Sequence, residues 1–134
     1  MSVTRSDEMP VRSEQHIVLV RQAVRKLSLE LGFSLVDQTK IVTAASELAR
    51  NTLIYGGGGS LRWELLVDGA RTGLRLTFSD TGPGIADMAL AMKDGWTSGS
   101  GLGMGLSGAK RLVNEFDIKS EPGKGTRVMI ARWK

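Results

Sequence analysis

Glu47 and Asn51 lie four residues apart in a segment whose apolar residues recur at helical spacing, so both project from the stripe that carries Ala44, Leu48 and Tyr55. That stripe is otherwise apolar and faces inward. A carboxylate and a carboxamide placed on it lose hydration and need a replacement for it. Two arrangements supply one. Either the pair sits at the helix edge, bonded to water or to each other, or the amide oxygen ligates Mg²⁺ shared with phosphate oxygens and leaves the carboxylate free to take a proton.

Other groups of residues carry chemistry of a matching kind. Asp80-Thr-Gly82-Pro-Gly84-Ile85 follows directly on an apolar strand pattern. A carboxylate at a strand end, followed by glycines that let another molecule approach the backbone, can accept a hydrogen bond from an exocyclic amino group at the floor of a pocket. The same residue types also build plain turns. Further on, Gly99, Gly101, Gly103, Gly105 and Gly108 punctuate a stretch that runs into an amphipathic segment. Exposed backbone N–H groups and a following helix start form an anion cradle, although glycines of this kind also occur in surface loops. The stretch Gly103-x-Gly-x-x-Gly108 matches the dinucleotide fingerprint in letters only, because no strand precedes it and no βαβ unit surrounds it. Finally, Thr126 in Gly123-Lys-Gly-Thr126 has a hydroxyl that can reach a base directly or through water, while hairpin geometry accounts for the glycines equally well.

The elements that position these groups are set by their periods. Ile17, Val20, Val24, Leu27 and Leu31 predict a helix capped by Ser13 and stopped at Gly32, and a second helix spans about 36–55. Alternation at Leu61, Trp63, Leu65 and Val67, then at Leu74, Leu76 and Phe78, predicts a hairpin with its turn marked by Asp68-Gly69 and Gly73. A short helix is expected over 86–92, another over about 105–116, and a closing hairpin over 118–120 and 126–133 turning at Pro122-Gly-Lys-Gly125. A strand near 9–12 is a weaker signal. The order (β)ααββααββ implies an α+β two-layer sandwich, with helices on one face of a mixed, mostly antiparallel sheet.

Composition narrows the function. A chain of 134 residues corresponds to one domain, 1–134. The absence of cysteine excludes disulfides, thiol catalysis and thiolate metal sites, and one histidine excludes a His-rich site, so any metal must be held by oxygen. His16 lacks the partners acid–base catalysis needs and reads as structural or solvent-facing. The net charge of +4 is scattered and accompanied by only seven aromatic residues, which argues against a nucleic-acid partner. The start of the chain has no apolar stretch and nowhere do 18 apolar residues run together, so no membrane role and a cytoplasmic location are expected.

Taken in order, Glu47-x-x-x-Asn51, Asp80-x-Gly-x-Gly84, the glycine-rich box at 99–108 and Gly-x-Gly-Thr126 resemble the successive boxes of the GHKL ATP-binding superfamily, named for gyrase, Hsp90, histidine kinases and MutL. Ser46-Glu-Leu-Ala-Arg-Asn51 and Gly103-Met-Gly-Leu-Ser-Gly-Ala-Lys-Arg-Leu112 are similar to the RsbT-type switch kinases within it. The resemblance implies the Bergerat ATP-binding fold and ATP with Mg²⁺ as cofactors. Asn51 would hold the metal and Glu47 would orient or deprotonate the substrate hydroxyl. Asp80 would bind the adenine amino group, with Gly82, Gly84, Ile85 and Thr126 around it. Gly99, Gly101, Leu102, Gly103, Met104, Gly105 and Leu106 would supply the phosphate cradle. The implied activity is phosphoryl transfer to a serine or threonine of a STAS-domain antagonist in a stressosome-like complex, with a PP2C-type phosphatase as a further partner. An anti-sigma factor kinase and a non-catalytic nucleotide-sensing adaptor are the alternatives. Thr52, Tyr55 and Met104 depart from residues common in such relatives.

Overall fold

The computed structural model describes residues 1–85, 92 and 105–134. Its elements are β1 (Ser2–Val11), α1 (Glu14–Glu30), α2 (Leu35–Ile54), β2 (Gly59–Asp68), β3 (Arg71–Asp80), α3 (Gly105–Arg111), β4 (Glu115–Glu121) and β5 (Gly125–Trp133). The strands form one sheet in the order β1-β2-β3-β5-β4, and each of its pairings is antiparallel. The helices pack on one face, which is the α+β two-layer arrangement expected from the sequence. The helix expected over 86–92 lies, apart from Met92, outside the described residues.

Local chemistry explains where the helices begin and end. Ser13 Oγ accepts the His16 N–H at 3.2 Å and caps α1; His16 Nδ1 in turn accepts the Arg12 N–H at 3.0 Å, so the lone histidine serves the helix start. At the other end Gly32 adopts φ +80°, its N–H bonds Leu29 O, and the Phe33 N–H bonds Ser28 O, which together satisfy the last carbonyls of the helix. Ser34 then caps α2 through the Asp37 N–H. Ile17, Val20, Val24 and Leu27 of α1 are buried, as their spacing predicts, and α2 buries Ile41, Ala44, Ala45, Leu48 and Ala49. The small residues let α2 approach both α1 and the sheet closely.

Several expectations need correction. The first strand runs from Ser2 and not from residue 9, pairing with β2 along almost its whole length. Its residues are exposed up to Glu8, so backbone pairing and not burial holds it, and no apolar period announces it. The third helix ends at Arg111 and not near 116. Asn114 stops the chain from continuing it: its N–H bonds Ala131 O and its side-chain oxygen accepts the Trp133 N–H at 2.7 Å, so β4 begins at Glu115. Gly73 is not part of the β2–β3 turn, which is Gly69-Ala70 with φ +62° at Gly69. Gly73 lies inside β3 beneath Trp133, where a Cβ would meet the indole at 2.7 Å.

One ion pair ties distant elements together and another bridges the β2–β3 hairpin. Arg132 on β5 reaches Asp37 on α2 at 2.6 Å, and Arg75 binds Glu64 across β3–β2 at 2.8 and 3.1 Å. Hydrogen bonds from Arg132 and Arg75, ahead of the other influences, hold the Asp37 and Glu64 carboxyls below their ordinary range. A carboxyl whose native value is depressed adds stability that is present above its unfolded-state value and lost as pH falls through the native one. Unfolding free energy measured by urea titration is therefore expected to decline below about pH 5, and Asp37→Asn or Glu64→Gln to flatten that decline. Slopes unchanged by both substitutions would refute this role.

Candidate functional site

The inner face of the sheet changes character at one end. Leu61, Phe78, Val128 and Ile118 form a cross-strand row against the helices, and the next row outward is Gly59, Asp80, Thr126 and Ser120. Apolar packing gives way within one row, two residues along each strand, to a carboxylate and two hydroxyls. This row lies under the C-terminal end of α2, beyond which Tyr55, Gly56, Gly57 and Gly58 lead into β2.

Asp80 is fixed by backbone donors. Its Oδ1 accepts the Gly82 N–H at 2.9 Å and the Thr126 N–H at 3.2 Å, which, among the described residues, leaves Oδ2 as the outstanding acceptor of the carboxylate. Gly56 makes room for it, since a Cβ there would stand 2.4 Å from Asp80 Cγ and 2.5 Å from Oδ2. The loop after Asp80 is joined to the β4–β5 turn by the Gly123 N–H to Pro83 O at 2.7 Å and the Ile85 N–H to Ser120 Oγ at 2.7 Å. Gly84 and Gly125 permit that approach. Both have positive φ, and a Cβ would fall 2.2 Å from Glu121 O at the first and 2.1 Å from Asp80 O at the second.

Asn51 and Glu47 sit on the last turns of α2, both half-buried. The Asn51 backbone carbonyl ends the helix by accepting from Tyr55 and Gly56, while its side-chain Oδ1 is buried and has no hydrogen-bond partner among the described residues. A buried acceptor left in this state costs about 1–3 kcal/mol, which a native fold seldom carries without a use. A carboxamide oxygen in need of a positive partner suits a hard cation such as Mg²⁺. Among the described residues no group of three or more His, Cys, Asp or Glu could hold a metal, so phosphate and water oxygens would have to complete the shell. Thr52 is buried and satisfies itself by donating to Leu48 O at 2.9 Å, and its Cγ2 would meet a Cβ at Gly59 at 2.9 Å. Its place in the box is therefore a packing role.

The fold brings together Asp80, Gly82, Gly84, Ile85 and Thr126, and puts Glu47 and Asn51 on the helix that ends beside them. Gly99, Gly101, Leu102, Gly103 and Met104 lie outside the described residues. Gly105 opens α3, and Leu106 is buried at 5% exposure in the core, so its side chain packs. An open concavity of about 550 Å³ wraps the strand ends, lined by Asp80, Thr126 and Ser120, by Lys119 and Arg127 at the alternate register, and by Glu121 with its ion-pair partner Lys124; its described lining includes no residue of α2. Two contributors escaped the sequence reading. Ser120 follows Phe116 and Ile118 at the inward register of β4, and a polar residue at an inward strand position was the available signal. Gly56, the first glycine after α2, was visible only as part of a run of four.

Residues 36–134 match the family described as histidine kinase-, DNA gyrase B-, and HSP90-like ATPase. The chain belongs to this ATPase family. Within it, the chain is 44% identical over 123 residues to the serine/threonine-protein kinase RsbT of Bacillus subtilis (strain 168), an alignment covering 92% of each chain. It is 28% identical over 128 residues to the anti-sigma F factor of Clostridium kluyveri, covering 91% of this chain and 89% of that one. The fold is shared with the crystal structure of the RsbU and RsbW domains of Rv1364c from Mycobacterium tuberculosis, at TM-score 0.66 and 22% identity; 96% of this chain aligns, spanning 32% of that one. Family membership implies ATP binding.

Asp80→Asn keeps the size of the side chain but must place an amide donor at one of the two oxygen positions. It is expected to weaken ATP binding by about a hundredfold or more by calorimetry, as for a site left with a mismatched polar group. Gly56→Ala is expected to weaken it by about tenfold or more, because the added methyl displaces the same carboxylate, with helix content by circular dichroism unchanged. Wild-type affinity in either variant would contradict the assignment of Asp80 to the pocket floor.

Proposed function

We propose that residues 1–134 act as one ATP-binding kinase domain, which transfers the γ-phosphate of ATP to a serine or threonine of a STAS-domain antagonist in a stressosome-like partner-switching stress pathway. Once released from that partner, the kinase activates a PP2C-type phosphatase. The chain is a protein serine/threonine kinase on the strength of its 44% identity, over 92% of its length, to a relative of that name. The observation that carries the rest is the combination of Asp80 Oδ2, left open by two backbone bonds to Oδ1, with the unpartnered Asn51 Oδ1 on the facing helix. One group suits an amino-bearing base and the other a phosphate-bound cation. No helix among the described residues is long and apolar enough to cross a membrane, and we place the protein in the cytoplasm.

In this mechanism Asp80 orients the purine, and the loop between Asp80 and Ile85 closes over its edge. Asn51 and phosphate oxygens would hold Mg²⁺, whose chemistry is to neutralise charge on the transferring phosphoryl group. Glu47, one helical turn before Asn51, accepts the proton of the substrate hydroxyl as its oxygen bonds to phosphorus and the bond to ADP breaks. Positioning and charge neutralisation supply most of the acceleration.

The similarity to anti-sigma F factors supports a second reading, a kinase that also sequesters a sigma factor. Pull-down with purified sigma factor and STAS proteins separates the two. A nucleotide-sensing adaptor without turnover would bind ATP yet transfer no label.

Glu47→Ala is expected to lower phosphoryl transfer to a STAS partner by about 10²-fold or more while ATP affinity stays within about threefold of wild type. The check is radiolabel transfer beside calorimetry. Full transfer by the variant would remove Glu47 from the mechanism.

A further inference from the structure

Ser120 makes three contacts at the pocket floor, and its single proton can serve only one of them. The Ile85 N–H donates to Ser120 Oγ at 2.7 Å, Gly125 O lies 3.1 Å from the same oxygen, and Thr126 Oγ1 lies 2.8 Å from it. Ile85 is a donor, so Ser120 accepts there. Gly125 O is a carbonyl and can only accept, so the Ser120 proton belongs on that contact. The short contact between the hydroxyls then takes its proton from Thr126. Reversing this last bond would leave Ser120 and Gly125 oxygens facing each other at 3.1 Å with no hydrogen between them.

With its proton directed at Ser120, Thr126 Oγ1 has lone pairs only to offer a ligand. Its row neighbour Asp80 also offers lone pairs only, through Oδ2. We propose that Ser120 is the residue that sets purine selectivity in this pocket, by holding the Thr126 hydroxyl as an acceptor beside the Asp80 carboxylate. A 6-amino purine brings two N–H donors to this pair of acceptors. A 6-oxo purine brings an acceptor oxygen to the place of the amino group, where lone pairs meet lone pairs, and its one donor on this edge, N1–H, lies beside that position. Ser120 is a positioning residue: it acts on the base through Thr126, and it also ties the end of the Asp80 loop to β4 through Ile85.

This inference rests on the ATP-binding reading of the site. Its test is the ratio of affinities for ATP and inosine triphosphate, which differ at this edge of the base, measured by calorimetry with Mg²⁺ on the full chain. Wild type is expected to prefer ATP by about a hundredfold or more. In Ser120→Ala the Thr126 proton is released to donate into the pocket, and the ratio is expected to fall at least about tenfold. Ser120→Thr keeps a hydroxyl and is expected to restore it. Thr126→Val removes the acceptor without touching the Ser120 bonds to Ile85 and Gly125, and is also expected to lower the ratio. Equal loss of both nucleotides in Ser120→Ala, or undiminished discrimination in both it and Thr126→Val, would overturn the proposal. Wild type binding neither nucleotide would overturn the ATP-site reading itself, and this inference with it.

Discussion

One carboxylate oxygen, Asp80 Oδ1, receives N–H groups from two different segments, Gly82 in its own loop and Thr126 on the neighbouring strand. That convergence fixes the second oxygen in direction, because a side chain held by two backbone donors at 2.9 and 3.2 Å has no rotational freedom left to use. The surrounding glycines are consequences. Gly56 gives the carboxylate its space, while Gly84 and Gly125 bring the loop and the β4–β5 turn close enough for both bonds to form.

The rest of the fold places this floor opposite the end of a helix. Ala44, Ala45 and Ala49 are fully buried, so α2 lies close over the sheet and delivers Glu47 and Asn51 at its last turns. The core gains nothing from an unpartnered amide oxygen at Asn51, and a packed apolar residue there would be more stable. The cation-binding role proposed for Asn51 would account for that cost. Arg132, bonded to Asp37 at the start of α2 and to Leu112 O beyond α3, keeps the helical layer registered on the sheet from the opposite end.

Much of this was legible in the sequence wherever burial dictated a period. The Ser13 cap and the Gly32 stop followed from residue type, the buried stripe of α1 from spacing and both hairpins from alternation, though not the place of Gly73 or the start of β4. Legibility failed where backbone pairing or a single contact decided the outcome. The first strand carries Thr4, Arg5, Ser6, Asp7 and Glu8, residues with no apolar alternation, and exists because β2 offers it a ladder. Gly73 read as a turn residue because nothing local reveals that Trp133, sixty residues later, rests on it. Helix α3 ends early because Asn114 finds partners in β5, a contact no helical window contains. At the site, Asp80, Gly84 and Thr126 were readable as a motif, whereas Ser120 matters through three contacts that exist only once two loops and a strand have met.

The most direct measurement is a crystal structure of the chain with a non-hydrolysable ATP analogue and Mg²⁺. The adenine amino nitrogen is expected about 3 Å from Asp80 Oδ2, and Asn51 Oδ1 about 2.1 Å from a cation that also touches the phosphates. A nucleotide seated elsewhere, or an Asn51 Oδ1 that takes its hydrogen bond from the protein while the cation binds without it, would contradict this reading of the site.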